Sequence, residues 1–177
     1  MPYNPDIYSI NRDNTARFAL GMSGSNLLYV IGVNPSTADD RQPDPTVRKI
    51  MRFAEKNGYD GFIIFNLYPQ RTPDPRKLHK EPDHILIRKN LHNILQFLHK
   101  EKEITFLAAW GNTISERNYL ADCVQEIVNV TKPYKIKWMK IGSLTKKGHP
   151  RHPSRVSYQE PLTSFDMDEY IRRLRKD

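Results

Sequence analysis

The sequence predicts an α/β fold, a three-layer α/β/α sandwich with a mostly parallel central sheet. Four largely apolar runs, at residues 27–33, 62–67, 104–110 and 136–141, are typical of strands in a central sheet, and the first of them is continuous. Helical patterns separate these runs, and strands that alternate with helices favour a parallel sheet. Right-handed crossovers then place helices on both faces of that sheet. The length suggests one domain over residues 1–177.

Local signals predict the other elements in order along the chain. Residues 16–22 form a weaker strand, which we expect at an edge of the sheet. Asp44 is expected to cap a helix, because Pro45 follows it and Gly58 stands just past the apolar repeat. Residues 68–82 contain four prolines and are therefore predicted to be irregular. Apolar residues at helical spacing predict three further helices, at residues 85–98, 114–128 and 166–174.

The composition favours a soluble cytoplasmic protein with no membrane partner. Cys123 is the one cysteine, so no internal disulfide can form, which fits a reducing compartment. No apolar run approaches the roughly 20 residues needed to cross a bilayer. The first residues lack the basic and apolar regions of a signal peptide. No cofactor is expected, and a single cysteine without a carboxylate cluster argues against zinc. No feature of the sequence indicates an oligomeric state.

Positive charge is concentrated near the carboxyl end of the sequence. The formal net charge is +8, and no Asp or Glu lies between Glu126 and Glu160. Eight basic residues occupy that stretch and are expected to surround one loop: Lys132, Lys135, Lys137, Lys140, Lys146, Lys147, Arg151 and Arg155. Phosphate backbones are the usual partner of such a patch, so DNA, another nucleic acid or a nucleotide is the expected partner. A solvated basic face is the alternative.

Two loops that each follow a predicted strand are the main candidates for a site. Asn34, Pro35 and Ser36 follow the first buried strand, and a loop with His149 and His152 follows the last. Ligands of open α/β sheets bind at the carboxyl ends of the strands, so the two loops can face one crevice. Asn34 and Ser36 would bring an amide and a hydroxyl, and a histidine would bring a hydrogen-bond donor or an acid–base group. Ordinary turn residues and an exposed loop histidine are the simpler interpretation.

Further candidates lie in the middle of the sequence. Asn66 interrupts an apolar strand, so its buried amide either reads a base edge or bonds neighbouring backbone. Tyr68 is a candidate for stacking on a base, and Arg71 for a phosphate contact. Asp39 and Asp40 are candidates for orienting a water, binding a metal or capping a helix.

Several motifs, taken in order, are similar to an uncharacterised bacterial and phage family that is catalogued as domain of unknown function 1643. They span roughly residues 29–153: Gly32-Val33-Asn34-Pro35-Ser36-Thr37-Ala38-Asp39, Asp44-Pro45-Thr46, Asn66-Leu67, Ala109-Trp110-Gly111 and Gly148-His149-Pro150-Arg151-His152-Pro153.

The same landmarks resemble, more remotely, the uracil-DNA glycosylase superfamily, which has an α/β/α fold. Gly32-Val33-Asn34-Pro35 is similar to its first loop, in the Asn form of the mismatch-specific branch. His152-Pro153-Ser154-Arg155-Val156-Ser157 is similar to its last loop. The resemblance implies that Asn34 places the attacking water, Asn66 binds the base and His152 stabilises the departing base anion. It also implies that the nucleotide is flipped out of the duplex first.

These observations lead to one main hypothesis and two alternatives. We expect a protein that binds nucleic acid or a nucleobase and hydrolyses the N-glycosidic bond of a modified base. The alternatives are a binding module without catalysis and an enzyme of free nucleosides or nucleotides. Asn34 and His152 are the expected catalytic residues. The expected substrate contacts are Gly32, Pro35, Ser36, Asn66, Tyr68, Ser154 and Ser157. The expected contacts with a nucleic-acid backbone are Arg71, Lys146, Lys147, Arg151 and Arg155.

Overall fold

A computed structural model describes residues 2–99 and 103–175 of the chain. Within these residues one sheet contains all seven strands. In chain order they are β1 (Ile7–Ile10), β2 (Arg17–Met22), β3 (Leu27–Gly32), β4 (Gly61–Asn66), β5 (Glu103–Ala108), β6 (Lys135–Ile141) and β7 (Leu162–Ser164). Their order across the sheet is β1-β2-β4-β3-β5-β6-β7.

The four apolar runs of the sequence form the parallel centre of this sheet. β4, β3, β5 and β6 are mutually parallel, whereas β1, β2 and β7 run antiparallel to their neighbours. The prediction that residues 16–22 form an edge strand is wrong, because β1 pairs along the outer side of β2. Neither β1 nor β7 was predicted from the sequence.

In the described part of the chain, four α-helices cover the sheet: α1 (Pro45–Lys56), α2 (His84–Gln96), α3 (Tyr119–Thr131) and α4 (Met167–Leu174). The Asp44 cap is confirmed, since its carboxylate accepts a hydrogen bond of 2.9 Å from the backbone N–H of Val47. The helix predicted at residues 114–128 is divided. A 3₁₀ segment occupies Gly111–Glu116, and Arg117 is extended before α3 begins. The Arg117 guanidinium donates to the carbonyls of Leu78 and His79, which holds the break open.

Side-chain alternation in the central strands separates two hydrophobic layers. On one face Val30 and Ile64 pack with the buried side of α1. On the other face Tyr29, Phe65 and Phe106 pack with residues of α2, α3 and α4. The three-layer arrangement therefore follows from strands that are apolar on both faces. No helix in the described ranges has the length and apolar character required to span a membrane.

The proline-rich stretch that follows β4 is irregular, as predicted. It contains a single 3₁₀ turn, Pro75–Lys77, and one isolated bridge between Gln70 and Ala16. Thr72 is buried there, and its backbone N–H donates to the carbonyl of Pro35 at 2.9 Å. The loops after β3 and β4 are thus fastened to each other at the carboxyl edge of the sheet.

Candidate binding site at the carboxyl edge of the sheet

Two adjoining depressions occupy the carboxyl edge of the parallel strands. The inner cavity has a volume of about 80 Å³ and lies between the strand ends and the start of α1. The outer groove, of about 850 Å³, opens above it. Asn34, Ser36 and His152 are among the residues that line both depressions, so the inner cavity adjoins the outer groove. Seven residues with polar side chains line the inner cavity: Arg17, Asn34, Ser36, Asp44, Thr46, Asn66 and His152.

Asn34 is oriented by the loop after β4. Its Nδ2 donates to the carbonyl of Thr72 at 2.8 Å and to that of Pro35 at 3.0 Å. Because the amide hydrogens serve these carbonyls, Oδ1 is the atom available to accept a hydrogen bond from a ligand or a water. Pro35 itself is buried outside the lining of either depression, so its effect on the site is to fix this turn.

Asn66 presents a buried amide to the inner cavity. The residue is 3% exposed, and its Nδ2 has no hydrogen-bond partner within residues 2–99 and 103–175. Its position depends on Gly32, where an added Cβ would lie 2.9 Å from Asn66 Oδ1. A buried donor without a partner costs about 1–3 kcal/mol. The arrangement is therefore suited to a ligand that supplies an acceptor.

His152 is a neutral hydrogen-bond donor. Its Nδ1 accepts the backbone N–H of Ser154 at 3.3 Å and lies 2.7 Å from the Ser154 hydroxyl. Because a backbone N–H can only donate, Nδ1 carries no hydrogen and the ring proton is on Nε2. Burial, opposed by the charge of Asp44 and reinforced by that of Arg155, lowers the pKa of His152 from 6.5 to about 4. Gly111 makes room for the ring, since an added Cβ would be 3.0 Å from that of His152.

Arg17, which the sequence analysis did not select, also lines the inner cavity. It is the first residue of β2 and is 3% exposed. Its NH1 donates to the carbonyl of Ala38 at 2.6 Å, and its Nε has no partner in the described part of the chain. The available signal was a single arginine in an otherwise apolar strand.

Three further residues that the sequence analysis selected as ligand contacts also lie outside the lining of both depressions: Tyr68, Arg71 and Ser157. Tyr68 is fully buried, its oxygen accepts the backbone N–H of Asp83 and its hydroxyl lies 2.7 Å from His79, so it cannot stack on a base. Arg71 donates to Tyr8, Asn14 and Ala38, which ties it to internal partners rather than to phosphates. Ser157 is exposed and lines neither depression.

The basic residues between Glu126 and Glu160, here called the basic segment, do not all lie at the candidate site. Lys146, Arg151 and Arg155 line the outer groove, whereas Lys147 is exposed but outside its lining. Arg151 also donates to the carbonyl of Ser143 at 2.9 Å. The expectation that all eight charges surround one loop is wrong, since three of them lie at or before the amino-terminal half of β6, away from the carboxyl edge: Lys132, Lys135 and Lys137.

Other residues near the site have structural roles. His149 Nδ1 is 2.9 Å from the hydroxyl of Tyr170, which accepts a hydrogen bond from Trp110 Nε1 at 2.8 Å. These contacts connect the loop after β6 to α4 through Tyr170. Asp39 accepts the backbone N–H groups of Arg41 and Gln42 and thereby caps a turn. No cluster of three potential metal ligands occurs among the residues that the structure describes.

The fold and the two depressions define an α/β protein with a polar cavity at the carboxyl edge of its sheet. The chain belongs to the family described as protein of unknown function (DUF1643), whose model matches residues 17–154. No curated protein and no solved structure matches the chain. The more remote likeness to the uracil-DNA glycosylase superfamily therefore stays a hypothesis.

Proposed function

We propose that this protein binds nucleic acid, takes the edge of one base into the inner cavity and hydrolyses its N-glycosidic bond. The observation that carries the proposal is the meeting of Asn34, Asn66 and His152 around one small cavity that adjoins a basic groove. This arrangement fits a fold like that of the uracil-DNA glycosylases, which we propose as well. Shared architecture alone does not define chemistry, so the proposal depends on these side chains.

Each of the three side chains has a distinct role in this reaction. The Asn34 Oδ1 accepts a hydrogen bond from the attacking water and so directs it at C1′ of the sugar. The Asn66 amide holds the base edge. The Nε2–H of His152 donates to the oxygen on which negative charge develops as the base departs. A donor that strengthens its bond only as charge develops accelerates the reaction more than it tightens substrate binding.

The bond changes balance without a cofactor. The water oxygen forms a bond to C1′ while the bond between C1′ and the base nitrogen breaks, and its electron pair leaves with the base. The water loses a proton to solvent, and the base anion takes one from solvent. His152 donates a hydrogen bond without transferring its proton, and its lowered pKa means that the ring takes up no second proton during the reaction.

The surface around the site supports nucleic acid as the partner. Lys146 and Arg155 stand on the wall of the outer groove. The exposed side of α1, beside the loop after β6, carries three cations at helical spacing, which the sequence analysis did not consider: Arg48, Arg52 and Lys56. A polyanion that lies across the groove would meet both sets of charges.

The proposal is tested with oligonucleotides that each carry one modified base. The wild type, Asn34→Ala and His152→Ala are assayed for abasic sites, with Ser157→Ala as a control outside the site. We expect base release by the wild type and by the control. Loss of a single donor to a developing anion typically costs about 10²–10³ in rate, so His152→Ala should lose activity on that scale while retaining most of its binding.

Two results would replace this function with another. Tight oligonucleotide binding without release of any base would make the protein a binding module. Release of base from free nucleosides, but not from oligonucleotides, would make it an enzyme of small molecules.

A further inference from the structure

The inner cavity is lined by a buried positive charge, that of Arg17, which has no ion-pair partner among the described residues. Asp44 lies on the same cavity wall and its charge favours the charged form of Arg17, but its carboxylate caps α1 and makes no ion pair with the guanidinium. The nearest like charge is Arg71, whose NH2 donates at 3.1 Å to the same Ala38 carbonyl that Arg17 contacts. Burial and Arg71 lower the pKa of Arg17 only to about 10, so it stays charged at neutral pH.

The hydrogen-bonding atoms of the cavity indicate what would neutralise that charge. Two buried donors have no partner among the described residues, namely Nε of Arg17 and Nδ2 of Asn66. The Nε2–H of neutral His152 is a third donor on the lining. Buried charges in folded proteins are normally paired. A ligand group with several acceptor atoms and a negative charge would satisfy all of these positions.

The size of the cavity limits this group. A cavity of about 150 Å³ holds one benzene molecule. The inner cavity, at about 80 Å³, is smaller than that and is close to the size of a carboxylate or a phosphate. A complete pyrimidine ring would have to extend into the outer groove.

We propose that the inner cavity is a binding site for an oxyanion, and that Arg17 and Asn66 hold a carboxylate or phosphate group of the ligand. The inference deepens the proposed function and rests on it for the nature of the ligand. That ligand is then a nucleobase that carries a carboxylate, or a nucleotide. Arg17 acts as a specificity-determining residue, because a ligand without the negative group would leave its charge unpaired.

Two matched pairs of probes distinguish the sources of the oxyanion. Orotate and uracil share a ring but differ in a carboxylate, and UMP and uridine differ in a phosphate. Each is titrated calorimetrically into the wild type, Arg17→Gln and Arg12→Gln, together with inorganic phosphate. Arg12 is exposed, so its variant controls for the loss of one positive charge.

We expect the wild type to bind at least one charged probe more tightly than its neutral counterpart. A charge-assisted hydrogen bond contributes enough that Arg17→Gln should weaken this binding about tenfold or more, whereas Arg12→Gln should match the wild type. Preference for orotate identifies a carboxylate, and preference for UMP a phosphate. Equal binding of charged and neutral probes, or full retention of the preference in Arg17→Gln, would overturn the inference.

A second variant keeps the test decisive if Arg17→Gln does not fold. Asn66→Asp brings a negative charge to the same cavity and should abolish the preference for charged probes; a preference that persists would also overturn the inference. These measurements need no turnover. A failure to release bases therefore leaves the oxyanion site standing, and a failure to bind oxyanions leaves base release to be judged by its own assay.

Discussion

At the scale of single residues, the protonation of His152 determines how the site responds to pH. The folded protein holds His152 neutral down to about pH 4, whereas an unfolded chain protonates its histidines near pH 6.5. Between these values the unfolded state binds more protons, so the free energy of unfolding falls as the pH is lowered from about 6.5 towards 4. Above pH 6.5 both states are neutral at this residue and its contribution is constant.

His152→Gln should therefore lose less stability than the wild type when the pH is lowered from 7 to 5. Urea unfolding of both proteins at the two pH values measures this difference. His152 should also contribute no inflection near pH 6.5 to the rate of base release, because its pKa lies well below that value. The pH profile of His152→Gln should therefore have the same shape as that of the wild type in this range. Equal losses of stability in the two proteins would mean that His152 titrates as an ordinary exposed histidine.

Gly32 controls the position of the Asn66 amide. Gly32→Ala would place a methyl group 2.9 Å from Asn66 Oδ1 at the inner cavity, so the amide must move. We expect ligand affinity to fall about as far as in Asn66→Ala, measured by calorimetric titration. Gly58→Ala is the matched control. Gly58 has φ of +80° and open space around it, so this variant should lower stability by about 1 kcal/mol and leave affinity unchanged. Unaltered affinity in Gly32→Ala would show that Asn66 does not contact the ligand.

At the scale of elements, the basic residues between Glu126 and Glu160 differ in their position relative to the outer groove. Those on the groove are the ones that we propose to contact phosphate, and those on the first half of β6 are expected to be solvated. Lys146 lies on the outer groove, and Lys137 lies on β6 in the same acid-free stretch. Lys146→Ala should reduce the slope of log affinity against log salt by about 1, because one counterion fewer is released. Lys137→Ala should leave the slope unchanged. Fluorescence anisotropy with a labelled oligonucleotide at several salt concentrations measures both, and equal slopes for the two variants would contradict the assignment.

The elements that the sequence predicted are those with long periodic patterns. The strands β3, β4 and β5 are mostly apolar, β6 has apolar residues between its lysines, and α1 has both a cap and a buried stripe. β1 and β7 have four and three residues, which is too short for a period to be recognised. Their pairing depends on contacts with distant parts of the chain. The break before α3 was missed for the same reason, since Arg117 is held by carbonyls of another loop.

At the scale of the whole molecule, topology explains which site residues could be predicted. Asn34, Asn66 and His152 all follow or end strands of the parallel set, and such strands finish at one edge of a sheet. Arg17 begins its strand, and β2 runs antiparallel to β4, so the start of β2 reaches the same edge. The sequence does not specify that direction. Tyr68 and Arg71 were placed correctly in the loop after β4, but local packing and hydrogen bonding direct them inward.

Residues outside the family match, which covers residues 17–154, help to hold the loops after β3 and β6 in place. The hydroxyl of Tyr3 donates to the carbonyl of Asp39, and Tyr170 fastens the loop of His149. β1 and β7, which cover the two outermost long strands, also lie outside the match. A fragment trimmed to residues 17–154 should expose the unpaired edges of β2 and β6 and self-associate, as size-exclusion chromatography would detect. In this chain, residues on both sides of the family match therefore help to hold the loops that form the candidate site.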